Sequence, residues 1–321
     1  MESARPKPII LDCDPGHDDA LAIMFAAGDP AVDLLAITTV AGNQTLDKTT
    51  LNARRVCSAA GITGVPIAEG CAKPLVAPLR VADDIHGASG LDGPSFGEPG
   101  VGIVAEHAVE LTHRLLHERS DRVCLVPTGP LTNIALLLNR YPEDAKRIER
   151  IVLMGGSTER GNVTPCAEAN IYVDPEAAAV VFGSGVPVTM CGLNVTHQAL
   201  VTPEVSARFG ALGAPLGELC VELMTFFAAT YREVFGFPAP PLHDPVAVAS
   251  VADPGLVRCV RAPVAVELTG EHTRGATVAD LHGLSGEPGN VEVAVELDVP
   301  RFWDRLTQAV GNLAARRSTV E

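Results

Sequence analysis

The chain predicts an α/β fold: an open, Rossmann-like, mostly parallel sheet flanked by helices, with a mixed α+β C-terminal portion. Three observations predict it. Short apolar runs alternate with helix-like segments over roughly the first 190 residues. Several of those runs end in glycine-, proline- or asparagine-containing turns, as strands feeding helices do. The 321 residues are 47% hydrophobic, ample for a large core and contrary to disorder.

The elements follow in order. Pro8–Asp12 reads as a buried strand and His17–Ala27 as the helix after it. Val32–Val40 is a second strand. Thr45–Ala60 is a helix that Gly61 closes, because glycine accepts the left-handed conformation of a helix C-cap. Val65–Ala68 is a short strand. Residues 70–101 break the pattern, with Pro74, Pro78, Pro94, Pro99 and six glycines. A loop of that length inside a compact domain is usually functional or mobile, so it reads as a lid.

The alternation then resumes. Gly102–Glu118 is a helix and Arg122–Val126 a strand, ending at Pro127-Thr128-Gly129-Pro130. Leu131–Asn139 is a helix, and Ile151–Met154 a strand that stops at Gly155-Gly156. Pro175–Phe182 is a helix and Val186–Met190 a strand. Helices follow at Pro203–Phe209, Pro215–Phe235 and Pro245–Val251, then antiparallel strands near Val257–Leu268 and Val291–Leu297, and helix Pro300–Arg316. No linker, repeat or low-complexity tract divides the chain, so residues 1–321 are expected to form a single domain.

Charge and cysteine content exclude several functions. The net charge of −15 leaves no basic footprint for nucleic acid, and Arg54-Arg55 and Arg316-Arg317 are too short to supply one. The eight cysteines form no C-x-x-C and read as buried reduced thiols. Met1 to Pro8 has no apolar targeting core, and no apolar run approaches the roughly 18 residues of a membrane span. A cytoplasmic protein without membrane or nucleic-acid partners is the expectation.

The densest chemistry lies at the first strand-to-helix turn, Asp12-Cys13-Asp14-Pro15-Gly16-His17-Asp18-Asp19. Four carboxylates this close demand a compensating cation. Hard oxygen ligands indicate calcium or magnesium rather than zinc. Helix capping accounts for one or two aspartates, not for four. In a parallel sheet the strand ends point one way, so Asp12, Asp14, Asn43, Thr128 and Met154 are expected at one crevice. Two further acidic points lie far along the chain. Asp244 follows His243 and precedes a proline, an ordinary cap position. Glu168 and Asn170 alternate with Ala169 and Ile171 and so are expected on one face, suited to sugar hydroxyls. Asp174 reads as the cap of the helix that Pro175 opens.

These motifs together resemble the nucleoside hydrolases, the inosine/uridine-preferring N-ribohydrolases. The resemblance is carried by Asp12 to Ala20, Val40-Ala41-Gly42-Asn43, Ile85-His86-Gly87 with Gly90-Leu91-Asp92-Gly93, and Pro127 to Asn133. Met154-Gly155-Gly156, Glu168-Ala169-Asn170 with Asp174 to Ala177, and His243-Asp244 complete it, in the family's order. It implies calcium-dependent hydrolysis of the N-glycosidic bond of ribonucleosides, in nucleoside salvage, by a homodimer or homotetramer. It implies that Asp14 is both a calcium ligand and the general base toward water, that Asp19 is a calcium ligand, and that Asp244 and the Thr128 carbonyl complete the set. Asp18 would bond the ribose 2′-hydroxyl with Asn43 and Asn170 near it. Glu168 and Asn162 would hold the 5′-hydroxyl, and Met154 would lie beneath the sugar. His243 would face the base and protonate it on departure.

Calcium suits such a site better than magnesium, because it tolerates roughly seven or eight oxygen ligands. His17 stands where many members carry an aliphatic residue, and histidine there also occurs in pyrimidine-leaning members. Ala169 stands where an aromatic is common. The single tryptophan, Trp303, argues against the purine-specific members that stack the base between tryptophans. Tyr231 falls where base-facing tyrosines lie, although Phe227 one turn earlier makes an ordinary core contact equally natural. His86 either contacts substrate on closure or is an exposed loop histidine. Broad or uridine/cytidine-leaning activity with weak adenosine cleavage is the expectation. Two other readings compete: a nucleoside- or ribose-binding sensor on the same fold, and a magnesium phosphohydrolase of the haloacid dehalogenase type.

Overall fold

The computed structural model describes residues 5–317. Met1 to Ala4, part of the stretch read as free of a targeting core, and residues 318–321, part of the expected single domain, lie outside the described residues. In chain order the elements begin with β1 (Lys7–Cys13), α1 (His17–Gly28), β2 (Val32–Thr39), α2 (Leu46–Ala60) and β3 (Ile67–Glu69). They continue with α3 (Asp83–His86), α4 (Ala108–Glu118), β4 (Val123–Pro127), α5 (Thr132–Arg140), β5 (Ile148–Met154), α6 (Ala169–Val173) and α7 (Pro175–Phe182). Then come β6 (Val188–Cys191), α8 (Leu193–Thr196), α9 (Pro203–Gly210), α10 (Leu216–Phe235) and α11 (Asp244–Ala252). The chain closes with β7 (Val257–Ala262), β8 (Val264–Val266), β9 (Thr277–Ala279), β10 (Val291–Leu297) and α12 (Val299–Arg317).

Eight strands form one sheet in the order β3-β2-β1-β4-β5-β6-β10-β7. All neighbours are parallel except β10 and β7. The alternation of side chains explains the layers. On β1, Ile9, Leu11 and Cys13 enter the core beneath α1, α2 and α9–α12, while Ile10 enters the opposite core beneath α4, α5 and α7. The order reverses between β1 and β4, where open sheets of this kind leave a crevice at the carboxyl ends of the strands.

Helix α1 shapes that crevice. Its residues are apolar on nearly every side, and all but Ala27 are buried, as expected of a helix enclosed by others. α12 crosses it closely at Gly28, where a Cβ would overlap the backbone of Ala309. Arg305 on α12 holds the buried Asp29 at the end of α1 through contacts of 2.6 and 2.9 Å. The helix is therefore fixed along its length, and its acidic N-terminus is presented at the sheet edge.

The structure differs from the sequence expectation in four places. The helix expected from Gly102 begins only at Ala108, capped by His107, because Val104 donates its N–H to Ile67 at 2.8 Å and holds the chain extended beside β3. The strand expected over Val257–Leu268 is split at Pro263, which has no N–H to donate; beyond it β8 pairs with β9 in a separate ribbon. The strand at Val291–Leu297, expected to be antiparallel, is so only toward β7; as β10 it also joins β6 in parallel and extends the main sheet. Residues 70–101 are not wholly irregular: they carry α3, which packs on α10, and bury His86 and Leu91.

Candidate active site

The crevice contains a pocket of about 240 Å³. Twelve of the candidate residues line it, Asp14, Asp18, Asn43, His86, Thr128, Met154, Asn162, Glu168, Asn170, Tyr231, His243 and Asp244, whereas Asp12, His17 and Asp19 do not. Asp19 lies just beneath, fully buried.

The floor is carboxylate. Asp14 follows β1, and Asp18 and Asp19 open α1, where the helix dipole favours negative charge. Asp244 arrives from the start of α11. Asp18, Asp19 and Asp244 each offer an oxygen within 4.8 Å of the others. Asp14 stands beside this trio; its Oδ2 accepts the Asn43 N–H at 2.6 Å, while its Oδ1 has no partner. Gly42 and Gly129 allow that approach, because a Cβ at either would overlap the Asp14 carboxylate. Thr128 Oγ1 and the Gly16 N–H donate to Asp19 at 2.8 and 3.0 Å.

Burial and mutual repulsion govern the charge of this group. Burial, then the charge of Asp19, pushes Asp18 up to about 7 and Asp14 well above the usual carboxylate range. Burial pushes Asp19 up to about 6, and burial with the charges of Asp18 and Asp19 raises Asp244 strongly. No lysine or arginine among the described residues hydrogen-bonds any of the four. Beneath them Asp12 accepts from Thr38 at 2.6 Å and Asn133 at 2.7 Å, its other oxygen unpartnered, and burial raises it to about 7.

The second wall is built on α6. Glu168 and Asn170 do not alternate along a strand as the sequence suggested. Glu168 caps α6 instead, accepting N–H groups of Asn170, Ile171 and Gly156 at 2.9, 3.1 and 2.8 Å. This cap requires the chain to turn sharply at Gly156, whose φ is +76°. Asn170 Nδ2 donates to the carbonyls of Thr128 at 2.7 Å and Met154 at 3.1 Å, tying the ends of β4 and β5 together. The Thr128 carbonyl thus already has one donor, and its second lone pair is available. Asn162 Oδ1 accepts from Ala169 N–H at 2.9 Å.

The third wall is aromatic. Tyr231 on α10 shares a hydrogen bond of 2.7 Å with His243 Nε2, and His243 Nδ1 meets Thr196 Oγ1 at 2.8 Å. Burial lowers His243 to about 3 and raises Tyr231 well above its ordinary value, so both are neutral at pH 7. Thr196 escaped the sequence reading, because a lone threonine on the four-residue α8 carries no motif. Arg80 was also missed; it lines the pocket from the 70–101 segment and lies over the Tyr172 ring at 5.5 Å.

His17 does not reach the pocket. Its ring stacks between His86 and the rings of Phe226 and Phe227, and its Nε2 donates to the Asp92 carbonyl at 2.8 Å. His86 Nδ1 accepts the His17 backbone N–H at 3.3 Å and lies 3.1 Å from His17 Nδ1. His86 is buried, not an exposed loop residue. Its Gly16 neighbour has no room for a Cβ beneath the imidazole.

Comparison with known proteins gives one consistent result. Residues 9–304 match the family model described as inosine-uridine preferring nucleoside hydrolase. A pyrimidine-specific ribonucleoside hydrolase RihA of Shewanella woodyi is 49% identical over 305 residues, covering 95% of this chain and 98% of that relative. The RihA of Citrobacter koseri is 47% identical over 309 residues, covering 96% and 99%. Among solved structures, a purine-preferring ribonucleoside hydrolase from Gardnerella vaginalis superposes with a TM-score of 0.90 at 35% identity, covering 96% of this chain and 99% of that one.

Proposed function

The chain belongs to the inosine-uridine preferring nucleoside hydrolase family and is a ribonucleoside hydrolase, an N-glycosyl hydrolase; from that premise we propose calcium-dependent cleavage of pyrimidine ribonucleosides. Membership removes both the haloacid dehalogenase and the non-catalytic sensor readings. One observation carries the proposal: four buried carboxylates, without a cationic side chain bonded to them, form the floor of a nucleoside-sized pocket.

The donor set fits a hard divalent cation. Asp14 Oδ1 is buried and unpartnered, the other carboxylates crowd one another, and a lone pair of the Thr128 carbonyl is available. Asp14, Asp19, Asp244 and the Thr128 carbonyl would hold calcium, with Asp18 turned to the ribose. A bound calcium would orient the sugar diol and acidify the attacking water.

The chain's own groups supply the rest. As the N-glycosidic bond breaks, the ribose ring gains oxocarbenium character, and the carboxylate floor stabilises that positive charge. Asp14 accepts the proton of the attacking water. Asp18, Asn43 and Asn170 grip the 2′ and 3′ side of the sugar, Glu168 and Asn162 the 5′-hydroxyl, and Met154 supports the ring from below. The departing base is poor as an anion and needs a proton. Because His243 is held neutral at rest, it passes on the proton released from water at Asp14 rather than one it already carries, while Thr196 and Tyr231 orient its ring. Residues 70–101 act as a lid and bring His86 to the base.

The pyrimidine preference rests on relatives at 47–49% identity whose names specify it, against a purine-preferring neighbour at 35%. As parts of the same reading, the protein is a homodimer or homotetramer in nucleoside salvage. It works in the cytoplasm, where its eight free cysteines suit a reducing environment. A panel of uridine, cytidine, inosine, adenosine and guanosine at equal concentration, with ribose release measured, tests the function. Uridine and cytidine should be cleaved fastest, a chelator should stop the reaction, and calcium should restore it. Preference for adenosine or guanosine, or full activity in chelator, refutes the proposal.

A further inference from the structure

A second group of ligand-type side chains, one buried carboxylate and two histidines, lies at the amino-terminal edge of the sheet, opposite the pocket. Helix α4 carries His113 and His117 four residues apart, hence on one face. The short turn just before β5 presents Asp144 to both. His113 Nδ1 lies 2.9 Å from Asp144 Oδ2, and His117 Nε2 lies 2.8 Å from Asp144 Oδ1. One ligand atom from each residue falls within 4.8 Å of the other two.

Asp144 is fully buried, and among the described residues no lysine or arginine bonds its carboxylate. A carboxylate so placed is costly unless a positive charge offsets it. The histidine side chains are 28% and 38% exposed, which gives an ion a path in from solvent. The donors are also held in place. The Tyr141 ring stacks on His113 with centroids 3.8 Å apart, and the Asp144 N–H and carbonyl are bonded to Tyr141 and Arg147.

We propose that His113, His117 and Asp144 form a zinc site that clamps α4 to the turn before β5. Two imidazole nitrogens and one carboxylate suit zinc rather than calcium or magnesium. Water from the exposed side takes the fourth position. Each imidazole now donates its proton to the carboxylate, because the carboxylate only accepts. On binding, each of these nitrogens turns its lone pair to zinc and the ring keeps its proton on the other nitrogen.

Zinc content measured by atomic emission tests this, after incubation with zinc in excess calcium and removal of unbound ions. About one zinc per chain is expected in the wild type and in Asp19→Asn, and none in His117→Ala or His113→Ala. Affinity should fall by more than the roughly 10–100-fold that loss of a supporting outer-shell partner costs. His117→Ala should keep its circular dichroism and its uridine hydrolysis, since His117 is partly exposed and remote from the pocket. Equal zinc in wild type and folded His117→Ala overturns the proposal, as does zinc that is lost with Asp19→Asn instead.

Discussion

The floor of the pocket and its aromatic wall bury polar groups in opposite ways. On the floor, Asp14, Asp18, Asp19 and Asp244 face mainly one another, and Asp14 Oδ1 has no partner at all. On the wall, Tyr231, His243 and Thr196 form a closed chain in which both imidazole nitrogens are satisfied. A wall of this kind is complete without a ligand, whereas the floor is complete only with a cation and a substrate. The difference teaches where substitutions abolish function and where they tune it.

The sharpest test of that contrast is Asp14→Asn. The amide cannot take the proton of water and is a poorer ligand for a cation, so kcat for uridine should fall by about 10⁴-fold, the upper range for a general base. Steady-state ribose release with matched circular dichroism checks it. A loss within tenfold would place the indispensable group elsewhere and dissolve the distinction between floor and wall.

His243→Gln comes next. Loss of the proton path should lower kcat for uridine by about 10²-fold. The same change should barely affect 4-nitrophenyl riboside, whose leaving group departs without a proton. Equal losses on both substrates would show that His243 shapes the pocket rather than assisting departure.

The two regions also differed in how much of them could be read from the sequence. The floor was legible because Asp12, Asp14, Asp18 and Asp19 share one turn, and four like charges in eight residues have few structural uses. The mostly parallel sheet was legible from the alternating apolar runs, but its strand order was not. Of the wall, His243 and Tyr231 were named only through the family resemblance, and their joining with Thr196 was not legible, because these residues come from the cap of α11, from α10 and from α8 and meet only in three dimensions. Thr196 had no signal, and His17, a position shared with pyrimidine-leaning members, lies behind His86, where it stacks on that ring and bonds to it. Glu168 lines the pocket as the cap of α6 rather than through the one-face alternation read from the sequence. His113 and His117 were not read as a site, because their partner Asp144 lies 27 residues beyond His117.

A smaller effect is expected from Tyr231→Phe. The ring and its packing on Phe227 remain, and only the hydroxyl bonded to His243 Nε2 is lost. One neutral hydrogen bond is worth about 0.5–1.5 kcal/mol, so kcat should fall by no more than about tenfold. A loss as large as that of His243→Gln would make Tyr231 the proton donor itself.

The smallest effect is on stability, and it separates the regions by pH. Asp18 titrates at about 7 and Asp19 at about 6 in the folded protein, both raised by burial above 3.8. Between about pH 4 and 7 the folded state therefore binds more protons than the unfolded chain, so these groups favour folding more as pH falls. As pH rises through 6 to 7 the floor ionises, its self-repulsion appears, and that part of stability is lost. Calcium binds the ionised floor, so its stabilisation should grow over the same interval. Melting temperatures with calcium and with chelator should nearly coincide near about pH 5 and separate by about pH 7.5. His243 adds nothing to this separation, because at about 3 it is already neutral throughout the interval. A separation that shrinks with rising pH would mean that the ion does not bind the ionised floor.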